Sequence, residues 1–407
     1  MSKEYLCIND KLSFEAKGLT PKYVEKSSII VLNQKCVRNG GIDYSFAQCI
    51  SEQQNITNDK YVKMGDVLLN STGQGTAGRC AFVDYIPENY KVTVDSHMLI
   101  LRFDNVELAR FFAYSLFGQE KYILSLLTGS SGQGELDREI VYNISFPYSS
   151  SNLKIFNQIL VTINNKIQLN NKINAELEKI AKTLYDYWFV QFDFPDENNR
   201  PYKSSGREMV YNEKLKRDIP IGWEIVTLSD IANITMGQSP SGSSYNTVSQ
   251  GVPFHQGCAN FGDKFPIVEQ YTTEPGRMAN VGDFLVSVRA PVGSLNIAIE
   301  KCCIGRGLAA ISSKTNDNEY LYQILQNFKN QFELRNSTGT TFGSITKDDL
   351  FSLLVIKPND DVLKLYKNTC KGLSQKQYNL FLENFKLTKI RDFLLPMLMN
   401  GQVTVNP

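Results

Sequence analysis

Four loop segments hold the side chains best suited to directional chemistry: NSTGQGTAGR (Asn70–Arg79), TGSSGQG (Thr128–Gly134), GQSPSGSSYN (Gly237–Asn246) and NSTGTTFGS (Asn336–Ser344). Their Gly, Ser, Thr, Asn and Gln residues favour turns and present flexible hydrogen-bond donors and acceptors. Catalytic constellations are missing by comparison. No GxxxxGK[ST] loop occurs, so a translocating ATPase is not expected. No [ND]PP[YFW] clamp for an extruded base occurs, which argues against an adenine methyltransferase. Pro195-Asp196 in FPDENNR lacks an E-x-K at sensible spacing, so Asp196 is expected to be a connector residue rather than part of a nuclease core. The Asn70–Arg79 segment lacks the lysine and the following helix pattern of a phosphate cradle. Two histidines, His97 and His255, and eight cysteines without a CxxC pair give no support to a metal site. The thiols are expected to be buried and reduced.

The elements that must position these loops come in two copies. Residues from roughly Glu4 to Phe189 recur at low identity from roughly Glu224 to Leu398. An offset of 210 residues pairs Leu177, Ile180 and Leu184 with Leu387, Ile390 and Leu394, and Lys166 with Lys376. Two like halves predict an internal pseudo-twofold, as in a homodimer fused into one chain. Within each half, DVLLN (Asp66–Asn70) and DFLVSVR (Asp283–Arg289) follow a Gly-Asp pair and read as strands entered from a turn. Each half closes with apolar residues stepping alternately by three and four, a heptad seam. Its candidate positions are Ile163, Ile173, Leu177, Ile180 and Leu184 in the first copy, and Leu373, Leu380, Leu387, Ile390 and Leu394 in the second. A helix from Asn152 to Trp188 would run roughly 55 Å. If the two helices are antiparallel, Lys166 and Glu383 could meet.

Composition restricts the options. Apolar content of 42% and charged content of 21% describe a globular protein with room for two or three domains. A formal net charge of +1 is low for a chain that grips duplex nucleic acid alone. Either positive charge is local or a partner supplies much of the grip. The start MSKEYLCINDKLSFE has no apolar h-region and no stretch approaches a membrane span, so the expected location is the cytoplasm, without membrane contact.

Further motifs carry a resemblance. The first helix ends LYDYWFVQFDFP (Leu184–Pro195), and RPYKSSG (Arg200–Gly206) follows in a connector. Then come IPIGWEIVTLSDIANITMGQSP (Ile219–Pro240) and a final helix ending IRDFLLPMLMNGQV (Ile390–Val403). GLTP (Gly18–Pro21) matches GQSP (Gly237–Pro240), and QKC (Gln34–Cys36) matches QGC (Gln256–Cys258), although no IPxGW precedes GLTP. Over essentially its whole length the chain resembles the specificity (S) subunit of type I restriction–modification systems.

That resemblance implies an α+β fold: two pseudo-twofold-related α/β target-recognition domains separated by two long helices forming an antiparallel coiled coil. The corresponding division is 1–150 for the first recognition domain, 151–190 for its spacer helix and 191–222 for a connector. Residues 223–360 form the second recognition domain and 361–402 its spacer helix. It implies a non-catalytic reader of a split, asymmetric sequence in double-stranded DNA, docked to two modification (methyltransferase) subunits and joined by restriction/translocase subunits. No cofactor is expected in this chain, since S-adenosylmethionine and ATP-Mg serve the partners. Base edges are read by Arg, Asn, Gln, Ser and Thr. The candidates are Thr20, Gln34, Asn70, Thr72, Gln74, Arg79, Ser130, Ser131 and Gln133 in the first half. In the second they are Ser239, Ser241, Gln256, Asn260, Arg289, Arg306, Thr340 and Thr341. A solvated loop position is the competing reading for each. For the whole chain, the competitors are a two-headed adhesive scaffold and a fused restriction–methylation enzyme. The matched landmarks argue against the first and the missing catalytic motifs against the second.

Overall fold

The computed structural model describes residues 4–128, 134–148, 150–262, 264–337 and 344–399. The chain divides into two compact units, Met1–Leu169 with Glu383–Pro407, and Asn170–Leu382. Both divisions fall inside long helices rather than at their ends.

In the first unit, short apolar runs form β1 (Leu12–Lys17), β2 (Ile29–Leu32), β3 (Val67–Asn70), β4 (Cys80–Phe82), β5 (Lys91–Val94) and β6 (Met98–Phe103). An antiparallel sheet takes the order β1-β6-β3-β4, and β2 pairs with β5 in parallel. Helix α1 (Val106–Gly118) starts where the Asn105 side chain accepts from the backbone N–H groups of Glu107 and Leu108. It buries Phe111, Phe112 and Leu116 in one core with Val67, Leu69, Leu99 and Leu101 of the sheet. Each such side chain contributes about 1.5–3 kcal/mol by leaving water. Helix α2 (Ser150–Tyr185) begins in this unit and adds Phe156 and Leu160 to that core.

The second unit repeats the plan. Its strands are β7 (Ala232–Met236), β8 (Val252–His255), β9 (Phe284–Ser287), β10 (Leu295–Ile297), β11 (Cys302–Ile304) and β12 (Leu308–Ser313). The antiparallel order is β7-β12-β9-β10, and β8 runs parallel to β11. Helix α3 (Asn318–Ser337) takes the place of α1, and α4 (Asp360–Met399) follows as α2 does. The Gly-Asp turns correspond as well. Gly65 and Gly282 adopt φ of +90° and +88°, a region that glycine occupies without strain. The following carboxylates each accept a backbone N–H three residues back, Asp66 from Lys63 and Asp283 from Asn280, both at 2.7 Å.

The long helices pair antiparallel within each unit. In the first, Lys166 meets Glu383 at 3.4 Å and Leu395 joins the core of Phe156 and Leu160. In the second, the Gln377 amide donates to the carbonyl of Asn174 at 3.3 Å. The buried line is rotated from the expected seam. Ile163, Ile173, Leu177, Leu184, Leu373, Leu387 and Leu394 are partly buried and Leu380 is buried, but Ile180 and Ile390 are 51% and 48% exposed. Their places go to residues one position on in the heptad, such as Asn174, Gln377 and Arg391, all buried. Gln377 and Arg391 find partners, whereas the Asn174 side-chain amide has none among the described residues. Arg391 donates to the Asn39 carbonyl at 3.3 Å and to Asn164 at 3.4 Å, with its guanidinium over the Phe117 ring. At Ile180 and Ile390 apolarity pointed to the wrong side, because polar residues such as Gln377 and Arg391 occupy part of the seam. Such residues fix register at some cost in stability.

Helix α2 ends in a π-turn over Asp186–Val190 that delivers both Trp188 and Phe189 to the second unit's core. Phe194 stacks on Trp223 with centroids 4.9 Å apart. Asp193 accepts from the backbone and hydroxyl of Ser204, each at 2.7 Å. Backbone N–H groups of Arg200 and Asn198, with the Arg207 guanidinium at 2.8 Å, hold the Asp196 carboxyl down at about 2. The FDFP and PYKSSG motifs thus form a structural clasp, and Asp196 is a connector residue.

Candidate nucleic-acid interface

Each unit gathers polar side chains beyond the carboxyl end of its central strand, β3 or β9. The frame is the same in both. Gly18 donates to Met98 O and Leu19 to Val94 O, while Gly237 donates to Leu308 O and Gln238 to Ile304 O. A Cβ on Gly18 would lie 2.0 Å from Asp95 O, and one on Gly237 2.2 Å from Gly305 O. Only glycine permits this approach, which explains why GLTP and GQSP both begin with it. Past the strands, Thr72 bridges to Glu135 and Arg289 to Ser344. The preceding residues Ser71 and Val288 accept from Leu136 and Ile345, each at 2.8 Å.

The first cleft brings together Gln34, Thr72, Thr76 and His97. Gln34 Nε2 donates to Thr72 O at 2.6 Å and lies 2.8 Å from Thr72 Oγ1. Thr76 Oγ1 donates to Gln34 Oε1 at 3.3 Å, and Thr72 Oγ1 lies 2.7 Å from His97 Nδ1. Gln74 is exposed in the same loop. Other candidates have different roles. Asn70 is fully buried and donates to the carbonyls of Gln34 and Thr76, each at 3.1 Å, so it builds the loop instead of reading a ligand. Arg79 is paired with Glu120 at 3.4 Å. Thr20 is exposed, with its carbonyl tied to Gln54, and no bond joins it to the cleft. Ser130, Ser131 and Gln133 lie outside the described residues.

The second cleft has other chemistry. Ser239 Oγ donates to Gln256 Oε1 at 2.9 Å and accepts the Arg306 N–H at 3.3 Å. Gln256, Arg289 and Arg306 line a hollow of about 210 Å³ with Gly257, Cys258 and Ser287. Both arginines are exposed, and among the described residues no carboxylate pairs with either. Their guanidinium donors are therefore open to a ligand. Ser241 Oγ bonds Ser243 and its carbonyl accepts from Ser244, while the Asn260 carbonyl accepts from Ile267. Thr340 and Thr341 lie outside the described residues. His97 and Thr76 were not among the sequence candidates. Aligning the halves on β6 and β12 would have found His97, which precedes Met98 as Gly307 precedes Leu308.

Nothing here resembles a metal or redox centre. Among the described residues, no group of three or more His, Cys, Asp and Glu could hold a metal ion. All eight cysteines are free, and burial pushes the Cys36 thiol up to about 11. No described helix is long and apolar enough to cross a membrane.

Fold and clefts together define an internally duplicated α+β protein with two matched polar clefts. A family model described as the type I restriction modification DNA specificity domain matches twice, at residues 13–179 and 220–390. The chain belongs to this family of type I restriction–modification specificity subunits. It is 27% identical to the putative type I restriction enzyme MjaX specificity subunit of Methanocaldococcus jannaschii, over 98% of this chain and 93% of that one. It is 26% identical to the type I restriction enzyme HindI specificity subunit of Haemophilus influenzae, over 84% and 88%. The crystal structure of a type I restriction–modification S subunit from M. genitalium shares the fold with a TM-score of 0.51. That match is 14% identical and covers 100% of this chain and 97% of the other.

Proposed function

We propose that this chain reads a split, asymmetric sequence in double-stranded DNA, each unit reading one part, and docks two methyltransferase subunits. Restriction/translocase subunits complete the assembly in the cytoplasm. The chain itself catalyses nothing, and S-adenosylmethionine and ATP-Mg serve its partners. The supporting observation is the pair of clefts: one backbone frame, placed twice, carrying different hydrogen-bonding side chains. Identical frames suit a repeated task on one polymer, and different side chains suit different bases. The near-neutral net charge fits a subunit that supplies discrimination while its partners supply most phosphate contacts. Two matched halves suit two copies of one partner.

Co-expression with a methyltransferase encoded beside this gene, followed by genome-wide adenine methylation mapping, tests the reading. A split recognition sequence is expected, and methylation without one would overturn it. The isolated chain is expected to bind DNA weakly, and far more tightly with the methyltransferase. Tight, sequence-specific binding by the isolated chain at physiological salt would contradict that division of labour.

A further inference from the structure

The hydrogen bonds around His97 favour one placement of its ring proton. Thr72 O can only accept, and Gln34 Nε2 lies 2.6 Å from it, so the amide's nitrogen must face Thr72. The same nitrogen is 2.8 Å from Thr72 Oγ1, which therefore accepts its second proton. Thr76 Oγ1 donates to the other end of the amide, consistent with that orientation. The Thr72 hydroxyl keeps a second lone pair, but the acceptor beside its own proton is His97 Nδ1, 2.7 Å away. A neutral ring in this setting accepts at Nδ1 and carries its proton on Nε2. The backbone of His97 is held as firmly: its N–H donates to Asp95 Oδ1 at 3.0 Å, and its carbonyl accepts from Ser71 N and Oγ at 2.8 and 3.0 Å. The residue is exposed beside Thr72. The nearby carboxylates are otherwise engaged, Asp95 with that N–H and Glu135 with Lys17 at 3.2 Å.

We propose that His97 is a base-reading residue of the first unit, a pre-set Nε2–H donor for the N7 and O6 acceptors of guanine in the major groove. Gln34 and Thr72 are its positioning residues. The inference rests on the DNA-reading function proposed above and adds to it a residue and a base. A donor held in one tautomer is attracted by guanine's two acceptors and repelled by the amino group of cytosine. The second unit has Gly307 at this position, so its donors come from Arg306 and Arg289 instead.

Two measurements test the proposal. With ¹⁵N-histidine labelling the full chain carries only two imidazoles, and a His255→Gln variant assigns them. At pH 8 the His97 ring is expected as the Nε2–H tautomer, and in Thr72→Val as a mixture of the two. An Nδ1–H ring in the unaltered chain would overturn the proposal without any reference to DNA. The second measurement is methylation profiling of the co-expressed complex. His97→Ala is expected to relax a guanine position by about 10–100-fold in one half of the split motif, leaving the other half intact. His97→Gln, with one donor and one acceptor, should turn that position toward adenine. An unchanged motif in His97→Ala, or a uniform loss across all sequences, would remove His97 from base reading. A motif that is not split in the unaltered complex would instead sink the function on which the proposal rests.

Discussion

Beyond β3 the first unit carries an amide, a hydroxyl and an imidazole linked by short hydrogen bonds, whereas beyond β9 the second unit carries two arginines with no carboxylate beside them. The first arrangement contains no Lys, Arg, Asp or Glu side chain. The second is cationic, and only the backbone of Arg306 is tied to its neighbour Ser239. A comparable difference lies where the helices meet the strands. In the first unit Arg391 covers Phe117, and Asn164 donates to Tyr114 at 3.1 Å. In the second a cavity of about 340 Å³ opens there, with Lys264 over the Tyr322 ring and Tyr322 bonded to Glu178 at 2.7 Å. Duplication has preserved strand order and turn geometry while side chains in both places diverged. A scaffold of this kind can change what it contacts without changing how it folds.

The comparison can be broken first at its shared frame. Gly18→Ala and Gly237→Ala each drive a Cβ into backbone carbonyl oxygens, and each should cost about 3 kcal/mol or more in its own unit. Hydrogen exchange resolved by unit would check this, and an effect at only one site would mean the frames are not equivalent. The next effect belongs to the second unit alone. His255 is buried there, and desolvation lowers its pKa to about 4 from an ordinary 6.5. The unfolded chain therefore takes up this proton first, so stability is complete above about pH 6.5 and falls as pH drops toward 4. The loss is on the order of 3 kcal/mol. Denaturation of His255→Asn against pH should lack this contribution.

Arg289→Ala should relax base preference only in the part of the target read by the second unit, by about 1–3 kcal/mol. Methylation profiling decides between this and a uniform loss, which would indicate a phosphate contact. The smallest change is expected in the first unit's helix pair. Lys166 and Glu383 are 44% and 43% exposed, so Lys166→Gln should cost no more than about 1 kcal/mol, and less in high salt. Chemical denaturation at two ionic strengths would measure it.

The duplication was legible in the sequence because glycine motifs and a constant helical offset survive divergence. The strands after Gly65-Asp66 and Gly282-Asp283 were legible for the same reason. The helix seam was legible in period and, except at Ile180 and Ile390, in position. Ile180 and Ile390 resemble seam residues more than Gln377 or Arg391 do, and the partners of those two polar residues, the Asn174 and Asn39 carbonyls and Asn164, make the polar choice possible. Gln34 and Thr72, both singled out by residue type, do come together beyond β3, whereas Asn70, singled out in the same way, is buried, because burial is not written in an amide. His97 was missed since its partner Thr72 stands 25 positions away, across a pairing of β3 with β6.

The ion pair between Lys166 and Glu383 has a consequence for exchange between copies of the chain. The repeat offset puts Ile173 where the second helix has Glu383. Were α2 of one molecule to pair with α2 of another, Lys166 would face an isoleucine and lose its counter-charge. The duplicated rods are thus no longer interchangeable: α2 finds its counter-charge on α4 and not on a second α2.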